Sequence, residues 1–281
     1  MDRDATAKPR LVPPSHGFAW MVQSLSLIRL QAGRLLLIGL LMQLILGLSQ
    51  LPLIGLLIML SVPGLTAGLL QAFHVTARGG APDIRLLLGP LTSSAHSGRL
   101  FAMGALIFAV GVVCISLLLS GSDLALDPAV LERIEQGDVD AVASLNQEAL
   151  GRIALALLVG VAVSGTLSYF TIPLIWFGNR KLGAALAVGL KGLVANWRPF
   201  LLLGLGLAVV FLPVGLVSAV LFGLAGTGGG MSVLIMGLIM LLLMLFQLLL
   251  FGTQYCAYRD IFGIDEPSAP ASADDDSQLL A

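Results

Sequence analysis

The chain has 281 residues, of which 57% are hydrophobic and 11% charged, with a mean hydropathy of +0.98 and a formal net charge of -1. Soluble domains carry roughly 25% charged residues, so this composition excludes a soluble globular fold and points to an integral membrane protein. The net charge says nothing about partners until it is split by side of the membrane, and nucleic acid is not expected as a partner.

The first stretch, "MDRDATAKPRLVPPSHG", is polar and proline-bearing, and residues 1–16 are expected to be a flexible N-terminus. No apolar core directly follows its basic start, so a cleaved signal peptide is not expected. In "GFAWMVQSLSLIRLQAG", Phe18, Met21, Val22, Leu25, Ile28 and Ala32 recur at helical spacing, with Gln23, Ser26, Arg29 and Gln31 largely off that stripe. This pattern predicts a helix lying in the membrane interface.

A spanning helix needs about 20 apolar residues, because the hydrocarbon layer is about 30 Å thick and each residue rises about 1.5 Å. The apolar stretch 35–73 is too long for one crossing, and "LSQLP" at 48–52 offers a polar break with a proline for the first turn of a new helix. Two spans follow, about 33–49 and 51–74, the second with a kink expected at Pro63. Four more lie at about 100–120, 153–177, 199–225 and 231–256. Between the third and fourth, the loop 121–150 is acidic, carrying Asp123, Asp127, Glu132, Glu135, Asp138, Asp140 and Glu148. A helix is expected there, capped by Asp127 with Pro128 at its first position. The glycines "GTGGG" at 226–230 lack the lysine and serine of a phosphate loop and predict a tight turn between spans five and six. The segment 182–195 reads as a second surface helix around Lys191, and residues 264–281 as a disordered acidic tail.

Charge distribution orients these spans. Of 15 Lys and Arg residues, only Arg133 and Arg152 fall in or beside the loop 121–150. The others sit in segments that share one side if the chain crosses six times, and Lys and Arg favour the cytoplasmic side. The expected fold is all-α: a polytopic bundle of six transmembrane helices in three hairpins, with cytoplasmic interfacial helices and both termini in the cytoplasm. The loop 121–150 would then be periplasmic.

The three hairpins share one plan. Their exits read "QAFHVTARGG", "IWFGNRKLG" and "QYCAYRDIFG", each an aromatic followed by arginine and glycine. Either a triplicated hairpin or the common preference of inward-ended spans for aromatics and arginine accounts for this. Arg78, Arg180, Trp197, Arg198, Tyr255, Tyr258 and Arg259 are the candidate interface or headgroup contacts, with Asp260 as a neighbouring partner or cap. Inside the spans the polar residues are neutral, which argues against a proton-coupled carrier built on a buried carboxylate. Gln43, Ser164 and Gln247 are the candidate intramembrane polar contacts, the two glutamines as an interhelical hydrogen-bonded pair. The ridges Ala156–Gly160–Ser164 and Gly215–Ala219–Gly223 have spacing for close helix approach and are expected to be internal packing.

His16, His74 and His96 are isolated in the sequence, and Cys114 and Cys256 stand far apart in apolar surroundings, where packing is the expected role. No catalytic pair, metal spacing or cofactor motif is visible, so neither an enzyme nor a cofactor is expected.

"VANWRPFLLLGL" followed by a hairpin and "YCAYRDIFG" resembles an uncharacterised family of proteobacterial inner-membrane proteins, whose members end in a similar Tyr-Arg-Asp-Ile-Phe and start with a Trp-bearing helix like "GFAWMVQS". The architecture is also similar to the membrane-anchor domain of some glycerophosphodiester phosphodiesterases, without any catalytic portion. The resemblance implies a bacterial inner-membrane location and supplies no activity. The function expected from all of this is non-enzymatic: organising membrane lipids or partner proteins through anionic headgroups at the cytoplasmic face. The alternative is a small transporter or permease with its site among Gln43, Ser164, Gln247 and other neutral residues of the spans.

Overall fold

The computed structural model describes residues 9–119, 133, 147–225 and 230–263. Residues 1–8 of the N-terminal segment expected to be flexible, the acidic loop with its capped helix, the glycine turn and the acidic tail lie wholly or mostly outside the described residues, whereas residues 9–16 are described and held against the bundle. The described chain is helical, with no strand among these residues. Its helices are α1 (His16–Leu30), α2 (Ala32–Gly47), α3 (Pro52–Ala77), α4 (Gly89–Thr92), α5 (Ser97–Leu119), α6 (Gln147–Trp176), α7 (Leu182–Ala195), α8 (Trp197–Ala225) and α9 (Gly230–Phe262). Two 3-10 turns, Leu48–Gln50 and Ile84–Leu87, join α2 to α3 and α3 to α4.

Five of these helices, α3, α5, α6, α8 and α9, are long and apolar enough to cross a membrane. This makes the chain a multi-pass membrane protein. The break expected at 48–52 is present, with Pro52 in the first turn of α3, where its missing N–H costs nothing. Pro63 lies inside α3, which is assigned as one helix from Pro52 to Ala77. The span expected at 33–49 corresponds to α2. It has 16 residues, and at about 1.5 Å per residue it covers about 24 Å, short of a hydrocarbon layer about 30 Å thick. It follows α1 through a bend of 100°, and the two together satisfy the composition of a sixth span. By contrast α9 has 33 residues, about 50 Å of helix, so its last turns project well beyond such a layer.

The long helices pack in sequential pairs, α2 with α3, α5 with α6 and α8 with α9. Each short element then rests on the pair that precedes it. The turn at Ile84–Leu87 and α4 rest on α3, and α7 rests on α6. No pair precedes α1, and it lies across α8 and α9 instead. The first helix thereby closes on the last pair, and the arrangement is circular.

Glycines make these seams possible. A Cβ on Gly17 of α1 would run into the Pro199 carbonyl oxygen of α8, and one on Gly68 of α3 into the Leu87 carbonyl oxygen. At Gly104 of α5 it would meet the Leu60 carbonyl oxygen of α3. Close backbone approach of this kind is how helices associate in lipid, where apolar side chains gain little by leaving the surrounding chains.

Burial is concentrated at one end of the bundle. Trp20, Phe73, Leu87, Leu100, Ile175 and Ile261 are fully enclosed there. In the opposite halves of α6 and α8, apolar residues such as Val161 and Leu212 are exposed, as befits surfaces that face lipid. The two small-residue ridges differ in burial. Ala156 and Gly160 are buried, whereas Ala219 and Gly223 of α8 are exposed and a Cβ on Gly223 would meet nothing. The expectation of internal packing therefore fails for that second ridge, because α8 offers α9 a different face.

Gly17→Ala and Gly104→Ala force backbone apart and should each lower stability by about 1–3 kcal/mol, the usual range for overpacking. Gly33→Ala, in open space, should be neutral or slightly stabilising. Thermal denaturation of the detergent-solubilised protein checks the contrast, and equal melting of all three variants would contradict the seam assignment.

Candidate functional site

Among the described residues, the enclosed end carries most of the polar side-chain contacts between distant parts of the chain. Its centre is Asp260, in the last turn of α9. The Trp20 indole nitrogen donates to Asp260 Oδ2 at 2.8 Å, and His16 Nδ1 lies 3.2 Å from the same oxygen. Both partners sit on α1, four residues apart and hence on one face. Lower on the same seam the Ser24 hydroxyl donates to the Leu249 carbonyl at 3.1 Å, and Arg259 donates to Gln23 Oε1 at 3.0 Å.

The segment before α1 is tied in as well. Arg10 N–H donates to the Ile261 carbonyl at 2.9 Å. Asn196, between α7 and α8, accepts from Val12 N–H and donates to the Arg10 carbonyl, both at 3.0 Å. Asn196 is 2% exposed, and its side chain joins the N-terminal segment to the α7–α8 corner.

Behind this seam runs an aromatic core. The Tyr255 hydroxyl and His74 Nδ1 pair at 3.2 Å, Tyr258 stacks on Phe177 with centroids 5.7 Å apart, and Phe262 meets Phe170 edge-on at 5.0 Å. Tyr255 and Tyr258 are 2% and 3% exposed, so their rings face protein. The Trp176 indole donates to Gln71 at 3.0 Å, joining α6 to α3. His96 packs edge-on against Trp176. Burial pushes its imidazole pKa below the ordinary value, and the charge of Arg99 acts in the same direction.

The basic residues separate into two kinds, according to helix polarity. Side chains on an α-helix lean toward its N-terminus. Arg259, at the end of α9, therefore folds back toward the bundle, its guanidinium carbon 6.0 Å from the Tyr255 ring centre. Its charge also complements the negative end of the helix dipole. Arg99 serves α6 in that way from outside, donating to the Asn179 carbonyl and side chain and to the Arg180 carbonyl. Asn179 itself has φ +48°, a left-handed conformation that asparagine tolerates after a helix end. Arg180 and the neighbouring Lys181 follow this corner, and Arg78 is exposed past the end of α3.

Arg198 belongs to the other kind. It stands at the start of α8, so its side chain leans away from the bundle, and its guanidinium lies 5.5 Å from the Trp197 ring centre. Trp197 is exposed, unlike Trp20 and the two tyrosines. The acidic side chains described at this end are Asp83 and Asp260. Asp83 caps the Ile84–Leu87 turn through Arg85 N–H at 2.8 Å, and Asp260 serves α1. Neither pairs with Arg198.

Within the apolar region, Gln43 of α2 donates from Nε2 to Gln247 Oε1 of α9, and Gln247 Nε2 reaches Met42 Sδ at 3.9 Å. The two amides therefore use each other. Ser164, on α6, is half-buried, and no hydrogen bond among those described joins it to the glutamines. Among the described residues no three His, Cys, Asp or Glu side chains come together in a metal-binding group.

The partnership of Asp260 with Trp20 and His16, and the bridging role of Asn196, are not readable from local sequence. The partners lie about 180 to 240 positions apart, and a lone aspartate after an apolar run carries no periodic signal. Comparison with known proteins returns nothing: no family model, no curated protein and no solved structure matches the chain.

Interhelical hydrogen bonds in membranes average about 0.6 kcal/mol. Gln43→Leu and Gln247→Leu should each destabilise by about 1 kcal/mol, because the remaining amide is stranded. The double variant should be no worse than either single one. Additive losses in denaturant titrations of the purified protein would mean that the glutamines act separately.

Proposed function

We propose that this is a non-enzymatic inner-membrane protein that organises anionic lipids, or partners recruited with them, at the cytoplasmic face. In this reading the chain crosses six times, with α2 as the short sixth span, and the enclosed basic end lies in the cytoplasm with both termini. The resemblance of the Tyr258–Phe262 stretch to an uncharacterised inner-membrane family goes with that placement.

One observation carries the reading. The polar groups that could form a reacting centre at this end are engaged in holding helices together, while the uncompensated positive charge points outward. Asp260 serves Trp20 and His16, and Tyr255 serves His74. Cations at a membrane surface attract anionic headgroups at about 1 kcal/mol each. A transporter site would draw on the neutral residues of the spans, and the direct Gln43–Gln247 bond leaves those two amides little capacity for a substrate.

The reading requires the basic end in the cytoplasm. Single cysteines in 124–148, in a background lacking Cys114 and Cys256, should react with a membrane-impermeant maleimide added to the periplasm. Cysteines in 80–95, 183–190 and 268–278 should react only after the cells are permeabilised. Labelling of 80–95 in intact cells would overturn both the six-span topology and the cytoplasmic lipid role.

A further inference from the structure

On α8 a second pattern overlays the helix. Trp197, Leu201, Leu205, Val209, Leu212 and Leu216 recur every three to four residues and are all exposed, Trp197 by 56% and the others by 58–68%. They form one stripe on the helix surface. At about 100° per residue Arg198 falls within that stripe, within about 20° of Leu205, Val209 and Leu216. The opposite face is the covered one: Gly17 of α1 abuts Pro199 and Leu203, and Gly206 meets Met21 and Phe18. The stripe from Trp197 to Leu216 is about 28 Å long, close to the thickness of the hydrocarbon layer.

The two ends of this surface have different chemistry. Along the stripe there is only hydrocarbon. At its head stand an indole, which favours the boundary between acyl chains and headgroups, and a guanidinium that leans past the helix start toward the headgroup layer. That guanidinium has an aromatic neighbour at 5.5 Å and no acidic partner among the described residues. A planar cation of this kind suits a phosphodiester oxygen pair.

We infer that the outer face of α8 is a docking surface for one anionic glycerophospholipid of the inner leaflet, with its phosphate at Arg198 beside Trp197 and an acyl chain along Leu201, Leu205, Val209 and Leu212. This rests on the lipid-organising reading above and gives it a place. One leaflet is about 15 Å deep, half of the hydrocarbon layer, and the stretch Leu201–Leu212 covers it. Arg78, Arg99 and Arg259 do not compete as headgroup sites of the same quality. They stand at or serve the carbonyl ends of helices, where their charge is partly offset.

Native mass spectrometry of the full-length protein in detergent, titrated with phosphatidylglycerol or phosphatidylcholine, tests this. The wild-type protein should bind phosphatidylglycerol about fivefold more tightly, the factor that corresponds to one basic residue at the surface. Arg198→Gln should lose that preference while keeping the weaker phosphatidylcholine binding, and Arg85→Gln should retain it. Glycerol phosphate at equal concentration should not displace the bound phosphatidylglycerol, and full displacement would show a headgroup-only site and overturn the acyl-chain docking. A preserved preference in Arg198→Gln would overturn this site while leaving the broader reading intact. A wild-type protein with no preference between the two lipids would overturn both.

Discussion

The bond from the Trp20 indole to Asp260 is the contact on which the circular packing depends. It spans 240 positions and joins the first helix to the last. In lipid, apolar helices gain little from one another, because the surrounding acyl chains are equally apolar. Beyond the hydrocarbon the usual driving force returns, and buried polar groups there must find partners. The overhanging turns of α9 provide that setting. Asp260 Oδ2 takes both of its contacts from α1, while Oδ1 faces Arg259 at 3.9 Å, and α1 is thereby fastened across the last helix pair. Without α1 across them, α8 and α9 would touch the rest of the bundle mainly where α9 meets α2, α3 and α6.

Helix polarity explains how one basic end can do two jobs. Helices that finish there point their last side chains back at the bundle, and those that start there point their first ones away. The same residue type therefore holds the fold at Arg259, where the partner is Gln23, and faces outward at Arg198, where the neighbour is an exposed tryptophan. Neutralisation follows the same rule: carbonyl ends absorb positive charge, and amide ends add to it.

Much of the fold is legible in the amino-acid order because hydrocarbon thickness sets a length and composition that few segments meet. The long helices start and stop close to where apolar runs predict, and Pro52 marks the break between α2 and α3. The inner face of α1 was harder to read. Apolar periodicity alone puts Met21 with Phe18, Val22 and Leu25, yet Met21 faces protein with Gly17, Trp20, Ser24 and Leu27 while the other three are exposed. A helix between lipid and protein has two apolar sides, and periodicity does not say which is which. The ridge on α8 illustrates the same ambiguity, since small residues permit close approach without requiring it. Tyr255 and Tyr258 have the composition of interface anchors, but the extra length of α9 carries them into a protein core. The Gln43–Gln247 pair was legible because amides are conspicuous among so many leucines.

A mutant cycle on the closing contact tests the central claim that Asp260 holds the first helix to the last. Asp260→Ala should lower the thermal stability of the purified protein by about 2 kcal/mol, as expected for a hydrogen bond to a charged group. In a background that already carries Trp20→Phe and His16→Ala, the same substitution should have little further effect. An equal loss in both backgrounds would mean that Asp260 acts elsewhere and that the ring is closed by other contacts.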